Sequence, residues 1–181
     1  MANLLVVVDY QNDFVSGALG FGAAQALEGP IAARVEQALA GDWRVIFTRD
    51  THGPDYLNTR EGRFLPVPHC LRGSGGWHLY GSLAAYEASS DPRVAFVDKP
   101  TFGSAGLASA AEALCGGEPG RIELCGVVSN ICVLSNAGLL KAALPEAQLV
   151  VDARCVASND DKANEEALDM LQSVQVEVVG R

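Results

Sequence analysis

The chain is poor in basic side chains: 13 lysines and arginines stand against 22 acidic residues, a formal net charge of -9. That balance repels nucleic-acid phosphates and anionic lipid, so neither nucleic acid nor a membrane is expected as a partner. No apolar run is long enough to span a bilayer. Met1 to Val8 runs straight into a strand pattern without the basic start of a signal peptide. The 5 cysteines are widely spaced and include no Cys-x-x-Cys, which suits a reduced, cytoplasmic setting better than a disulfide framework. There are no internal repeats and no low-complexity linker. The first strand leads into Asp9-Tyr10-Gln11 and not into Gly-x-Gly-x-x-Gly, which argues against a dinucleotide-binding turn.

What is present is a core and an alternation. At 181 residues and 49% hydrophobic composition, one domain spanning 1–181 is expected, large enough to bury a real interior. Leu4–Val8 is a buried-strand run, and Val45–Thr48, Val94–Val97, Ile122–Val127, Gln148–Val151 and Val174–Val179 are weaker versions. Between them lie helical patterns. Pro30 suits a first turn, with Ile31, Val35 and Leu39 following at four-residue spacing. Ala163, Ala167, Met170 and Val174 form a similar stripe after Asn159-Asp160, and Leu107–Leu114 and Ile131–Ala143 also read as helices. The expectation is a three-layer α/β, Rossmann-like fold: a central, mostly parallel sheet flanked by helices.

The reactive residues fall at one edge of that sheet. Asp9 ends the first strand, Asp50 follows the second, Lys99 the third and Cys132 the fourth, all at carboxyl ends, where open α/β sheets bind ligands. Taken singly, each has a plainer reading. Asp9 can cap its turn, Lys99 can be a surface lysine, and Cys132 can be a small buried hydrophobe. The helix start raises the interest of Cys132, because the positive end of the helix dipole favours a thiolate. Cys125, Cys115, Cys155 and Cys70 lack a comparable setting.

One irregular stretch, Asp50–Gly76, is rich in Gly, Pro and His and is long enough to suggest function. In extended backbone Asp50 and His52 share a face, as metal ligation requires, and His69 offers a third ligand from the same loop. Two of the 3 histidines in the chain fall there. Glu61 is either a fourth ligand or an ordinary loop charge. His78 reads as a surface or capping residue, and Cys70 points away from His69 if the segment is extended. These N and O donors suit one divalent metal, zinc, iron or manganese.

Five segments together resemble the isochorismatase-like cysteine hydrolases, and within them the nicotinamidases. They are Val8-Asp9-Tyr10-Gln11-Asn12-Asp13-Phe14, Thr48-Arg49-Asp50-Thr51-His52, Leu65-Pro66-Val67-Pro68-His69-Cys70, Asp98-Lys99-Pro100-Thr101-Phe102-Gly103-Ser104, and Cys125-Gly126-Val127-Val128-Ser129-Asn130-Ile131-Cys132-Val133. The resemblance implies that Asp9 takes the Cys132 thiol proton and that Lys99 steadies the pair and helps keep the thiol ionised. The thiolate then opens an amide through a thioester. It implies an oxyanion hole from the backbone N–H groups of Val128 and Cys132 beside a cis Val127–Val128 peptide. It further implies a metal that holds the ring nitrogen of a small amide such as nicotinamide. Phe14 and Phe102 are candidate apolar walls. The residue between Asp50 and His52 is often Trp in nicotinamidases and is Thr51 here, which is expected to remove an aromatic wall. A homo-oligomer is expected. The competing expectations are a related amidase for another small amide and a catalytically silent binding member of the fold.

Overall fold

A computed structural model describes residues 1–181. Six strands form one sheet: β1 (Asn3–Val8), β2 (Arg44–Asp50), β3 (Val94–Lys99), β4 (Arg121–Val127), β5 (Gln148–Ala157) and β6 (Glu177–Val179). Their order is β3-β2-β1-β4-β5-β6, and every pairing is parallel. The helices are α1 (Asn12–Val15), α2 (Gly22–Ala26), α3 (Glu28–Ala40), α4 (Arg60–Phe64), α5 (Leu107–Cys115), α6 (Leu134–Ala143) and α7 (Asp161–Ser173).

The continuous apolar run of β1 has a direct cause. Successive strand residues face opposite sides, and both sides of this sheet are covered. Leu4, Val6 and Val8 pack with residues of α5, α6 and α7, whereas Leu5 and Val7 pack with residues of α1, α2 and α3. All five are fully buried, each worth roughly 1.5–3 kcal/mol of transfer free energy. Strand order reverses between β1 and β4, so a crevice opens at their carboxyl ends. Gly126 makes the close approach there: a Cβ at this position would collide with the Val8 backbone.

Several element limits differ from the sequence reading. Asp50 and Lys99 are the last residues of β2 and β3 and do not follow them. β5 is longer than Gln148–Val151, and β6 starts at Glu177 because Val174 belongs to the end of α7. The stripe Ala163, Ala167, Met170 and Val174 is not the buried face of α7: Met170 is 55% exposed and Val174 43%, whereas Ala167, Leu168 and Leu171 are buried. Helix geometry puts 167, 168 and 171 on one side. Before α6, residues Ser129–Val133 form a π-turn, and Ile131 is exposed on it.

Candidate active site

The long loop after β2 is organised by three short elements: a 3-10 turn at Tyr56–Asn58, α4, and a 3-10 turn at Gly75–Trp77. Thr59 caps α4 by accepting a hydrogen bond from the Gly62 N–H at 3.0 Å. The loop then returns alongside its own start. His52 N–H donates to the Cys70 carbonyl at 3.0 Å, and Arg72 N–H donates to the His52 carbonyl at 2.9 Å. Cys70 N–H also donates to Asp13 Oδ2 at 2.7 Å, which ties the returning strand to α1. These bonds place His69 beside His52 across 17 residues of sequence. Their ring centroids are 4.8 Å apart.

Asp50, His52, Glu61 and His69 form one cluster whose nearest ligand atoms all lie within 4.8 Å of one another. His52 Nε2 is 2.9 Å and His69 Nε2 3.4 Å from Asp50 Oδ2, and Glu61 Oε1 is 3.7 Å from the first and 3.9 Å from the second. Asp50 Oδ1 is buried and makes no hydrogen bond. His69 Nδ1 meets the Val67 carbonyl at 2.8 Å, which places a proton on Nδ1 and turns Nε2 toward the cluster. Two imidazoles and two carboxylates converging on one point fit a divalent cation. Cys70 is not in the group. Burial alone would raise the Asp50 carboxyl, but hydrogen bonds from His52 and His69 and the charge of Lys99 outweigh it and hold Asp50 below the usual carboxylate range.

A few ångströms away lies a second cluster. Lys99 Nζ is 2.6 Å from Asp9 Oδ2 and 3.8 Å from Cys132 Sγ, and it donates to the Thr101 carbonyl at 2.9 Å. Thr48 Oγ1 donates to Asp9 Oδ1 at 2.7 Å. All of these side chains are buried. Burial, offset in part by Lys99, raises the Asp9 carboxyl, which makes it a stronger proton acceptor. Burial would lower Lys99, but Asp9, Cys132 and Asp50 hold it above its usual value, so the ammonium persists. The Cys132 thiol is pushed well above the ordinary range by burial first and the Asp9 carboxylate second, against the pull of Lys99. Desolvation of the buried sulfur and the neighbouring carboxylate thus oppose the field of the helix end at Cys132.

Both clusters open into a cavity of about 230 Å³ lined by Phe14, Leu19, Phe21, Asp50, Glu61, Leu65, His69, Phe102, Val128, Ile131, Cys132 and Asn159. Phe14 is buried and Phe102 stands at the rim, 46% exposed. Leu19, Phe21, Leu65, Ile131 and Asn159 escaped the sequence reading, because nothing in their local pattern signals a shared wall. Gln11 escaped it too. Fully buried, it accepts from Asp50 N–H at 2.7 Å and donates to the Asp50 carbonyl at 3.0 Å and the Trp77 carbonyl at 2.7 Å. Thr51 is outside the cavity lining; its Oγ1 accepts from Trp77 Nε1 at 2.8 Å. The supposed loss of an aromatic wall at position 51 is thus corrected: residue 51 faces away from the 50/52 side of the strand. His78 pairs with Glu87 at 2.7 Å, remote from either cluster. The Val127–Val128 peptide is cis, and all 5 cysteines are free.

An all-parallel α/β sheet with a buried thiol, ammonium and carboxylate at its switch point defines a class of hydrolytic enzyme scaffold. The isochorismatase domain model matches residues 3–181, and the chain belongs to the isochorismatase family of hydrolases. An isochorismatase family protein of Bacillus subtilis (strain 168), PncA, is 28% identical over 173 residues, which is 93% of each chain. The solved structure of nicotinamidase PncA from Bacillus subtilis is 27% identical and superposes with a TM-score of 0.86, covering 98% of this chain and 99% of that one. The pyrazinamidase/nicotinamidase of Streptococcus mutans UA159 is 28% identical with a TM-score of 0.88, over 98% and 100% of the two chains.

Proposed function

We propose that the chain is a metal-dependent cysteine amidohydrolase that converts nicotinamide to nicotinate and ammonia. The observation that carries this reading is the shared cavity: Cys132, with Lys99 and Asp9 behind it, and the Asp50, His52, His69 and Glu61 cluster open into the same space. At about 230 Å³ it is smaller than the roughly 300–1,000 Å³ of drug-sized sites and suits one small ring with its amide.

In this mechanism Asp9 accepts the proton from Cys132 as sulfur attacks the amide carbonyl. Lys99 balances the negative charge that the pair shares throughout. The backbone N–H groups of Val128 and Cys132 receive the developing oxyanion. Asp9 returns the proton to the leaving nitrogen, the C–N bond breaks, and ammonia departs from a Cys132 thioester. Water activated by Asp9 opens the thioester and restores the thiol. Asp50, His52 and His69, with Glu61 as a fourth donor, would hold one divalent zinc, iron or manganese ion. When bound, that ion supplies a coordination position for a pyridine nitrogen and so orients the substrate. Phe14 and Phe102 flank the ring.

The test is ammonia release from nicotinamide and pyrazinamide by the metal-loaded protein, against benzamide, which lacks a ring nitrogen. Turnover of the pyridine and pyrazine amides well above benzamide supports the reading. Equal rates on all three would remove the metal's role in substrate choice, and no turnover of any would remove the activity.

A further inference from the structure

The wall that carries Phe102 is held in place by a residue that belongs to neither cluster. Asn136, in the first turn of α6, is fully buried. Its Oδ1 accepts from Ser104 N–H at 3.0 Å, and its Nδ2 donates to the Cys132 carbonyl at 2.8 Å and the Phe102 carbonyl at 3.3 Å. Two carbonyls and one N–H around the amide leave only one orientation for it, and both amide protons are used. A single side chain thus ties the backbone of the nucleophile to both sides of Gly103. The same loop is pinned one residue earlier, where Lys99 Nζ donates to the Thr101 carbonyl. An independent contact presses the loop onto α6: a Cβ at Gly103 would lie 2.7 Å from Leu139 Cδ1 and 3.2 Å from Ser135 Cβ.

We infer that Asn136 is a positioning residue that sets the distance between the Phe102 wall and Cys132, and so decides which amides fit the cavity. The inference rests on Cys132 being the reacting thiol. Because Phe102 is itself half exposed, little packing holds its ring in place. Its position follows the backbone at 102–104, and that backbone is bonded to Asn136. Freeing residues 102–104 widens the mouth on one side, while the Lys99 bond to Thr101, Asp9 and the Asp50, His52, Glu61 and His69 cluster stay in place. The cost therefore falls on substrate fit more than on the bond-breaking step.

The experiment compares wild type with Asn136→Ala, Phe102→Ala and the double variant. One readout is the rate of Cys132 modification by N-ethylmaleimide relative to the smaller iodoacetamide, followed by peptide mass spectrometry. The other is KM and kcat for nicotinamide. In Asn136→Ala the maleimide-to-iodoacetamide ratio should rise about tenfold, and KM should rise by a similar factor while kcat stays within about threefold. The double variant should match Phe102→Ala alone, because both changes act through one wall. If Asn136→Ala does not fold, Gly103→Val, which wedges the loop off α6, should give the same rise in ratio. An unchanged ratio in every folded variant, or effects of Asn136→Ala and Phe102→Ala that multiply, would overturn the inference. The alkylation readout needs no turnover: a shifted ratio in a protein inert toward nicotinamide would uphold the role of Asn136 and sink the amidase reading.

Discussion

Asp50 and Lys99 are register partners at the ends of β2 and β3, and Lys99 Nζ lies 3.6 Å from Asp50 Oδ1. One lysine therefore stands between the carboxylate beside the thiol and the carboxylate of the Asp50, His52, Glu61 and His69 cluster. Parallel pairing of two strand ends is enough to create this contact. It makes the two clusters a single charged unit around a single ammonium.

Cys132→Ala should abolish amide hydrolysis and leave the fold intact, because the residue contributes one sulfur atom to a well-filled core. Cys155→Ala should be nearly neutral for turnover. Ammonia release alongside circular dichroism checks both. Retained activity in a clean Cys132→Ala preparation would exclude the thiol mechanism.

Asp9→Asn and Lys99→Met should each lower kcat by about 10²–10⁴-fold, the usual worth of a positioned proton acceptor and its partner. The single changes should also cost stability, up to about 3–5 kcal/mol for Lys99→Met, which strands the Asp9 carboxylate, and less for Asp9→Asn, which leaves Lys99 with Asp50. The double variant Asp9→Asn/Lys99→Met should regain much of that stability and none of the activity. Urea denaturation separates the two effects, and equal stability of singles and double would contradict a buried ion pair.

Modification of Cys132 by iodoacetamide should keep accelerating with pH beyond about 8.5, the ordinary thiol value, since burial and Asp9 raise this thiol. The sign for folding follows. A group whose pKa is raised in the folded state favours folding fully below its unfolded pKa, and this contribution is lost as pH climbs through the folded one. A modification rate that levels off near neutrality would mean a resting thiolate.

His52→Ala, or prolonged treatment with a chelator, should remove bound metal and turnover of pyridine amides while Cys132 remains alkylatable. The reason is that His52 Nε2 sits in the ligand cluster and makes no contact with the thiol. Elemental mass spectrometry measured beside the alkylation rate decides this. Full metal occupancy with unchanged nicotinamide turnover in His52→Ala would place this chain with amidases that use no metal.

Leu171→Ala should cost about 2–5 kcal/mol, the usual range for a buried leucine, whereas Met170→Ala should change stability little. The two differ in exposure, 0% against 55%. A thermal melt that ranks them the other way would restore the stripe Ala163, Ala167, Met170 and Val174 as the packed face of α7.

The sequence alone determined the layered α/β scaffold, since a run such as Leu4–Val8 has no polar face and needs cover on both sides. It also located Asp9, Asp50, Lys99 and Cys132, because strand ends are visible as the close of apolar runs, and it paired Asp50 with His52, because extended backbone repeats every two residues. Whatever depends on distance through space lay beyond it. The approach of His69 and Glu61 to that pair follows from hydrogen bonds that close a long loop on itself. The cavity walls Leu19 and Phe21, Leu65, and Asn159 come from three separate segments. The Asn136 clamp joins residues 32 and 34 positions apart. The surroundings of Cys132 were decided by tertiary structure as well. A helix start can be read locally, but the loss of solvent that pushes this thiol upward is set by everything packed around it.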